Sequence, residues 1–468
     1  MTQQAIETIR GLRAAMDGPV LTPSDSDFDD RRRVWNALVD RRPSVIARCA
    51  TAQDVAAAIG FARERHLTVA VRGGAHAPSG SAVCDDGLMI DLSLMNRVTV
   101  DPRARRARAD GGALLADLDA ATQAHGLAVP AGMVSHTGVG GLTLGGGMGW
   151  LTRKYGLSID NLASADVVTA DGRVLRAAAD SHPDLFWAIR GGGGNFGVVT
   201  SFEFDLHEAG PQVQFGLFFW GLDRGPQALR LARDMTASLP AGINIMIAAV
   251  NAPPAPFVPP QHRFAPGYAL LVAGFGPEQE HAEVVTQIRD ALPPLFDVVT
   301  PMPYTELQKL LDEANAWGLY GYDKGVYIET LSDPIIETIT EQVPRKSSPM
   351  SALMFYRLDG AYSRVEDEAT AFSGGRSPRY AAFIIGLAPD ARLLAADRNW
   401  VRGFWRALRP YALADGNSYV NSTTEYLGEE IRGSYGNAKY ERLAAIKAEY
   451  DPDNTFRLNA NIPPAGSA

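Results

Sequence analysis

Six consecutive residues, Val71-Arg72-Gly73-Gly74-Ala75-His76, end a strand-like run in glycines and then present an imidazole. Two further glycine clusters follow, Gly138-Val139-Gly140-Gly141-Leu142-Thr143-Leu144-Gly145-Gly146-Gly147-Met148-Gly149 and Arg190-Gly191-Gly192-Gly193-Gly194-Asn195-Phe196-Gly197. Three such loops within about 130 residues exceed what evenly spread glycine would give. The chemistry they permit is close approach of backbone N–H groups to a phosphate or a flat ring. The chain therefore reads as a cofactor binder. Gly192, Gly194 and Gly197 satisfy G-x-G-x-x-G, but a β-branched strand pattern follows where a dinucleotide-binding fold needs a helix. No G-K-[ST] follows any loop, which removes the P-loop reading as well.

Alternation and helical spacing identify the elements that carry these loops. Strands are expected at 45–47, 67–71, 88–92, 97–100 and 105–109, with helices at 54–65 and 114–125, and an alternating strand at 198–206. Beyond residue 210, strand patterns at 213–219, 243–250, 268–275, 352–358 and 381–387 alternate with helical patterns at 226–235, 277–291, 334–343 and 391–408. This predicts an α+β chain: a cofactor domain over 1–207, a second domain over 208–417 built on a sheet with helices on one face, and a segment 418–468 returning to the first. The last segment holds a helix at 437–449 and an asparagine-rich tail whose turn signals suggest docking.

At 468 residues, with 46% hydrophobic and 21% charged residues, the chain has an ordinary globular composition. A formal net charge of -9 argues against nucleic-acid and anionic-membrane partners. Cys49 and Cys84 fit no metal spacing and are expected to be free thiols in a reducing compartment, although one bridge between them is possible. No metal site is expected. Ile6, Ile9, Leu12 and Met16 give the first residues an amphipathic helix instead of a signal peptide, and no apolar run is long enough to span a membrane. A cytoplasmic enzyme is expected.

The three loops, the run Leu151-Thr152-Arg153-Lys154-Tyr155-Gly156-Leu157-Ser158-Ile159-Asp160-Asn161, the run from Asp184 through Thr200 and the tail from Tyr450 to Asn461 resemble the berberine-bridge-enzyme-like FAD-linked oxidases, including bacterial members. That family has the vanillyl-alcohol-oxidase, or p-cresol-methylhydroxylase (PCMH-type), flavin fold. The resemblance is dense to residue 207 and from 419 onward, and thin between. It implies FAD bound by the first and last segments, an antiparallel-sheet substrate domain covered by helices, and dioxygen as electron acceptor.

On this resemblance His76 matches the histidine joined to the flavin 8α carbon, a role that needs a neutral imidazole. Val134 stands where many relatives carry a second flavin-linking cysteine, so one covalent link is expected. Arg72, Gly73, Gly74, Ala75, Ser135, His136, Thr137, Gly140, Gly141, Gly145, Gly146, Asp160, Asn161, Gly193, Gly194, Asn195, Val198, Asn459 and Asn461 are the expected cofactor contacts. Thr137 is also a candidate for tuning oxygen reactivity, or else a hydroxyl satisfying a turn. The catalytic base is not evident: Ser422 follows Tyr419-Val420-Asn421 where relatives often place a tyrosine. Tyr322 and Tyr356, with Tyr320, Tyr327 and Glu329, are candidates, each with a core role as its alternative. The implied activity is oxidation of a small organic substrate, such as an alkaloid or phenolic secondary metabolite, by hydride transfer with release of hydrogen peroxide. A flavin oxygenase and a ligand-sequestering flavoprotein are the alternatives.

Overall fold

The computed structural model describes residues 3–413, 419–425 and 428–466. The expected boundary at 417/418 and the Ile6 side chain lie outside the described residues. The amino-terminal helix Gln3–Ala15 buries Ile9 and Leu12, with Met16 just beyond it, against a four-stranded sheet ordered Val20–Leu21, Val45–Arg48, Leu88–Asp91, Val69–Arg72. The last three strands are parallel. Helix Ala52–Glu64 packs on them and starts two residues before the expected 54, because Thr51 Oγ1 accepts the Asp54 N–H and caps it. Strand Val69–Arg72 releases the first glycine loop at its carboxyl end, where parallel sheets leave a crevice.

A five-stranded antiparallel sheet lies beside it, ordered Val98–Asp101, Arg106–Asp110, Val198–Asp205, Leu162–Val168, Val174–Ala178. Its central strand Val198–Asp205 directly follows the third glycine loop, so that loop opens a strand. The second glycine cluster forms the short helix Val139–Leu144, which buries Val139 under the same sheet.

The third large sheet is antiparallel and seven-stranded: Phe296–Pro303, Gln212–Gly221, Pro266–Gly274, Ile243–Asn251, Ala352–Leu358, Arg379–Ala388, Tyr320–Ile328. Period-two alternation divides its residues. Tyr322, Val326, Leu353, Phe355 and Ile384 lie under helices Gly225–Thr236, Glu278–Ala291, Asp333–Gln342 and Ala391–Leu408. Met246, Ala248, Ala381 and Phe383 lie on the opposite face, toward the glycine loops. Besides the two-residue strands Val20–Leu21, Leu127–Ala128 and His207–Glu208, the strands Leu162–Val168, Val174–Ala178, Phe296–Pro303 and Tyr320–Ile328 go beyond those expected from the sequence. Among the described residues no helix is long and apolar enough to cross a membrane.

The tail docks through buried polar groups. Lys447, on helix Asn437–Tyr450, donates to the Asn195 and Phe456 carbonyls and pairs with Asp451 at 2.6 Å, both side chains fully buried. Asn195 Nδ2 donates to the Ala460 carbonyl, and its Oδ1 accepts the Ile462 N–H. The third glycine loop and the tail are thereby one unit.

Candidate active site

The first two glycine loops meet back to back. A Cβ on Gly74 would stand 2.3 Å from the Gly138 nitrogen, and one on Gly138 2.3 Å from the Gly74 nitrogen. Ala75 takes the left-handed region at φ 53°, which turns the chain and delivers His76. Among the described residues no acceptor takes the N–H groups of Gly73, Gly74, Ala75, His76 or Ala77, so five successive donors are left for a ligand. The His76 ring is stacked on Trp35 at 4.8 Å and 18°, with His136 on its other side at 5.0 Å. Its Nε2 is buried without a partner. Burial first, then the neighbouring His136, hold the imidazole pKa down to about 3, so the ring is neutral at working pH.

These loops open onto a cavity of about 370 Å³. Its cofactor-side wall includes Gly73, Gly74, Ala75, His76, Val134, Thr137, Gly140, Gly141, Gly193, Gly194, Val198 and Asn459. The opposing wall comes from the seven-stranded sheet, with Asp323, Tyr356, Phe383 and Ile385, and from Tyr419, Val420, Asn421 and Ser422. The Thr137 hydroxyl makes no hydrogen bond within the described residues, which sets aside its turn-satisfying alternative.

Other expected contacts are not on this wall, and most of their polar groups are used within the chain. Arg72 donates to the Arg31 and Arg33 carbonyls and faces Asp91. Ser135 is tied to Asp312 through both its N–H and its hydroxyl. His136 stands behind His76, both ring nitrogens buried without partners. Gly145 and Gly146 pack against Asn421 and Phe372, which a Cβ would strike at 2.2 and 2.6 Å. Asp160 holds Arg376 by two hydrogen bonds, at 2.9 and 2.7 Å. Asn161 is bonded to the Tyr155 and Leu157 carbonyls. Asn195 serves the tail, as above, and Asn461 Oδ1 is buried without a partner. These residues hold the loops that a cofactor would touch.

The tyrosine candidates separate by sheet face. Tyr322 points under the helices, its hydroxyl donating to Glu425 and accepting from Arg402. Tyr320 packs against that same core, and Glu329 is exposed. Tyr327 is buried on the other face but is not on the cavity wall. Tyr356 reaches the wall, edge-on to Phe383 at 5.2 Å, and burial raises its hydroxyl pKa. Tyr419 accepts the Gly147 N–H at 2.9 Å and Asn421 Nδ2 at 3.0 Å, and burial pushes its pKa up to about 12. The Tyr-Val-Asn run is thus pinned to the second glycine cluster.

The sequence reading missed Asp323. Its backbone N–H donates to Thr424 Oγ1 and its carbonyl accepts the Thr424 N–H, placing it beside the segment that carries Ser422. Its carboxyl Oδ1 is buried on the cavity side with no hydrogen-bond partner, and burial raises its pKa to about 7. Such a carboxyl exchanges protons near neutrality, as a general base does.

Comparison with known proteins gives the site its context. Residues 43–178 match the family model described as FAD binding domain, and residues 418–463 the model described as berberine and berberine like. The chain is 33% identical over 461 residues to (R)-6-hydroxynicotine oxidase of Paenarthrobacter nicotinovorans, covering 97% of this chain and 98% of that one. It belongs to the berberine-bridge-enzyme-like FAD-linked oxidoreductases. The crystal structure of 6-hydroxy-D-nicotine oxidase from Arthrobacter nicotinovorans superposes with a TM-score of 0.83 at 29% identity, over 96% of this chain and 98% of that chain. Glucooligosaccharide oxidase from Acremonium strictum shares the fold, with a TM-score of 0.86 at 22% identity over 98% and 100% of the two chains. The α+β architecture is therefore the PCMH-type flavin fold, and the protein is an FAD-linked oxidoreductase. The unpartnered His76 nitrogen, the five free amides and the open space beside Gly141, where a Cβ would meet no chain atom within 4 Å, fit FAD. Among the described residues no group of three or more His, Cys, Asp or Glu is arranged to hold a metal ion.

Proposed function

We propose that this protein is an oxidase that carries FAD on a single covalent bond from His76, oxidises a small organic substrate of the alkaloid or phenolic kind and passes the electrons to dioxygen as hydrogen peroxide. The observation that carries the reading is the neutral, buried, unpartnered imidazole nitrogen of His76 on the cavity wall. When bound, the flavin supplies the hydride acceptor and the route to dioxygen.

The chain's own residues supply position and proton handling. Gly73, Gly74, Ala75, Gly140, Gly141, Gly193, Gly194, Val198 and Asn459 line the space for the cofactor; Arg72, Ser135, Gly145, Gly146, Asp160, Asn161 and Asn195 brace the loops, and His136 and Asn461 keep buried polar atoms without a partner. Asp323 takes the substrate's proton, in the place where a tyrosine after Asn421 would otherwise serve. Tyr356 shapes the wall, and Thr137 lies where dioxygen approaches. The Acremonium enzyme's flavin is 6-S-cysteinyl and 8α-N1-histidyl. Here Val134 has no thiol, and Cys49 and Cys84 are buried and free, with their thiols pushed up by burial. These unpaired thiols support a cytoplasmic setting.

The test is direct. Acid precipitation should leave the yellow flavin with the protein, and peptide mapping should find it on the His76 peptide alone. Flavin lost wholly to the supernatant overturns the covalent bond. Flavin photoreduced without oxygen should reoxidise in air with stoichiometric peroxide. Oxygen-18 in the product instead identifies an oxygenase, and tight ligand binding without flavin reduction a sequestering protein.

A further inference from the structure

Asp323 stands on the edge strand Tyr320–Ile328 of the seven-stranded sheet, opposite Ile385 in register. Its backbone is fixed through both Thr424 bonds, so the carboxyl has a defined place on the wall. Nothing in the chain compensates it: Oδ1 is buried without a partner, and no Lys or Arg lines the cavity among the described residues. The neighbouring Lys324 points to the other face, where it meets Glu430 and the Trp405 ring. On the same sheet face Ile385 stands opposite it and Phe383 one pair further along, with Tyr356 beyond on the next strand, while Asn421 and Ser422 add polar atoms to the cavity. A buried carboxyl without a partner is costly, and a protein that keeps one on a ligand cavity leaves its pairing to the ligand.

We propose that the substrate is an apolar amine whose protonated nitrogen pairs with the Asp323 carboxyl while its hydrocarbon body packs on Phe383, Ile385 and Tyr356. Aromatic faces add to the attraction for an ammonium group. A carbohydrate has no cation to offer this carboxyl. The assignment rests on the oxidase reading in calling this ligand a substrate.

The experiment titrates the holoenzyme at about pH 8, where the carboxyl is ionised, following the flavin absorbance band. The probes are benzyltrimethylammonium, benzyl alcohol and cellobiose. The ammonium probe is expected to bind at least about tenfold more tightly than either neutral probe. That preference should vanish in Asp323→Asn and in Asp323→Ala and persist in Asp323→Glu, with the flavin content of each variant confirming its fold. A preference below tenfold, one retained in Asp323→Asn, or no ammonium binding up to about 10 mM overturns the proposal. Air reoxidation of photoreduced flavin is read without any of these probes, so failure of the oxidase reading and failure of the amine assignment are separate results.

Discussion

At the residue scale burial moves the pKa values of two groups in opposite directions, each toward the uncharged form. His76 is kept neutral between Trp35 and His136, the form needed for nucleophilic attack. His76→Ala should still take up FAD through the loop amides, but acid should release all of it, which absorbance of the precipitate and supernatant measures. Asp323 is raised from 3.8 to about 7 by burial. Its folded form holds the proton more tightly than the unfolded chain does, so its contribution to stability is complete below about pH 4 and is lost as pH rises through 7. The shift from 3.8 to about 7 corresponds to at most roughly 4 kcal/mol. Asp323→Asn should therefore melt at a higher temperature than the parent at pH 8, and the gap should close toward pH 5. Calorimetry of the ligand-free holoenzyme at both pH values checks this; a gap independent of pH would contradict it. Asp119, buried and also raised to about 7, contributes a slope of the same sign, so the variant is needed to separate the two.

At the element scale the cofactor cradle depends on the contact between Gly74 and Gly138. Neither has a positive φ, so the demand is for space alone. Gly138→Ala places a Cβ 2.3 Å from a backbone nitrogen that cannot move aside; it should cost roughly 1–3 kcal/mol and lower FAD occupancy. Flavin-to-protein absorbance and a denaturant midpoint check both effects. Thr137→Leu, on the same turn, should slow air reoxidation of reduced flavin more than anaerobic reduction; equal slowing would mean a distorted loop. The glycine loops and His76 were legible because their spacing is local. Asp323 was hidden because Tyr320–Ile328 reads Tyr-Gly-Tyr-Asp-Lys-Gly-Val-Tyr-Ile, whose glycines and charges interrupt a strand pattern. Its strand character comes from pairing with Arg379–Ala388, which no local period encodes. The same limit applies to Asp160, Asn161 and Asn195: a motif marks them as important without showing that their side chains serve neighbouring backbone and arginine groups.

At the scale of the whole molecule, the amino-terminal cradle is closed by the carboxyl-terminal tail. Lys447 is at the centre of that closure, and burial lowers its pKa against the opposing pull of Asp451. Lys447→Met leaves Asp451 buried without its cation and removes the donor shared by the Asn195 and Phe456 carbonyls. It should destabilise by roughly 3–5 kcal/mol. Flavin should be lost at lower denaturant than in the parent, and limited proteolysis should cut the tail first. An unchanged midpoint would mean that the apolar contacts of Phe456 and Ile462 suffice.

The edge strand Tyr320–Ile328 has a further consequence. Its outer side is occupied by Asn36, which bonds the Gly321 N–H and carbonyl, by Thr424 at Asp323 and by Leu413 at the Tyr327 carbonyl. The strand therefore presents no open template for intermolecular strand addition. It also carries the cavity's carboxyl on a rim that three separate segments clasp, outside the sheet's interior. Exchanging the side chain at 323 should change what the cavity selects without disturbing a central ladder. The flavin cradle is built from other segments of the chain and should keep its form when residue 323 is changed.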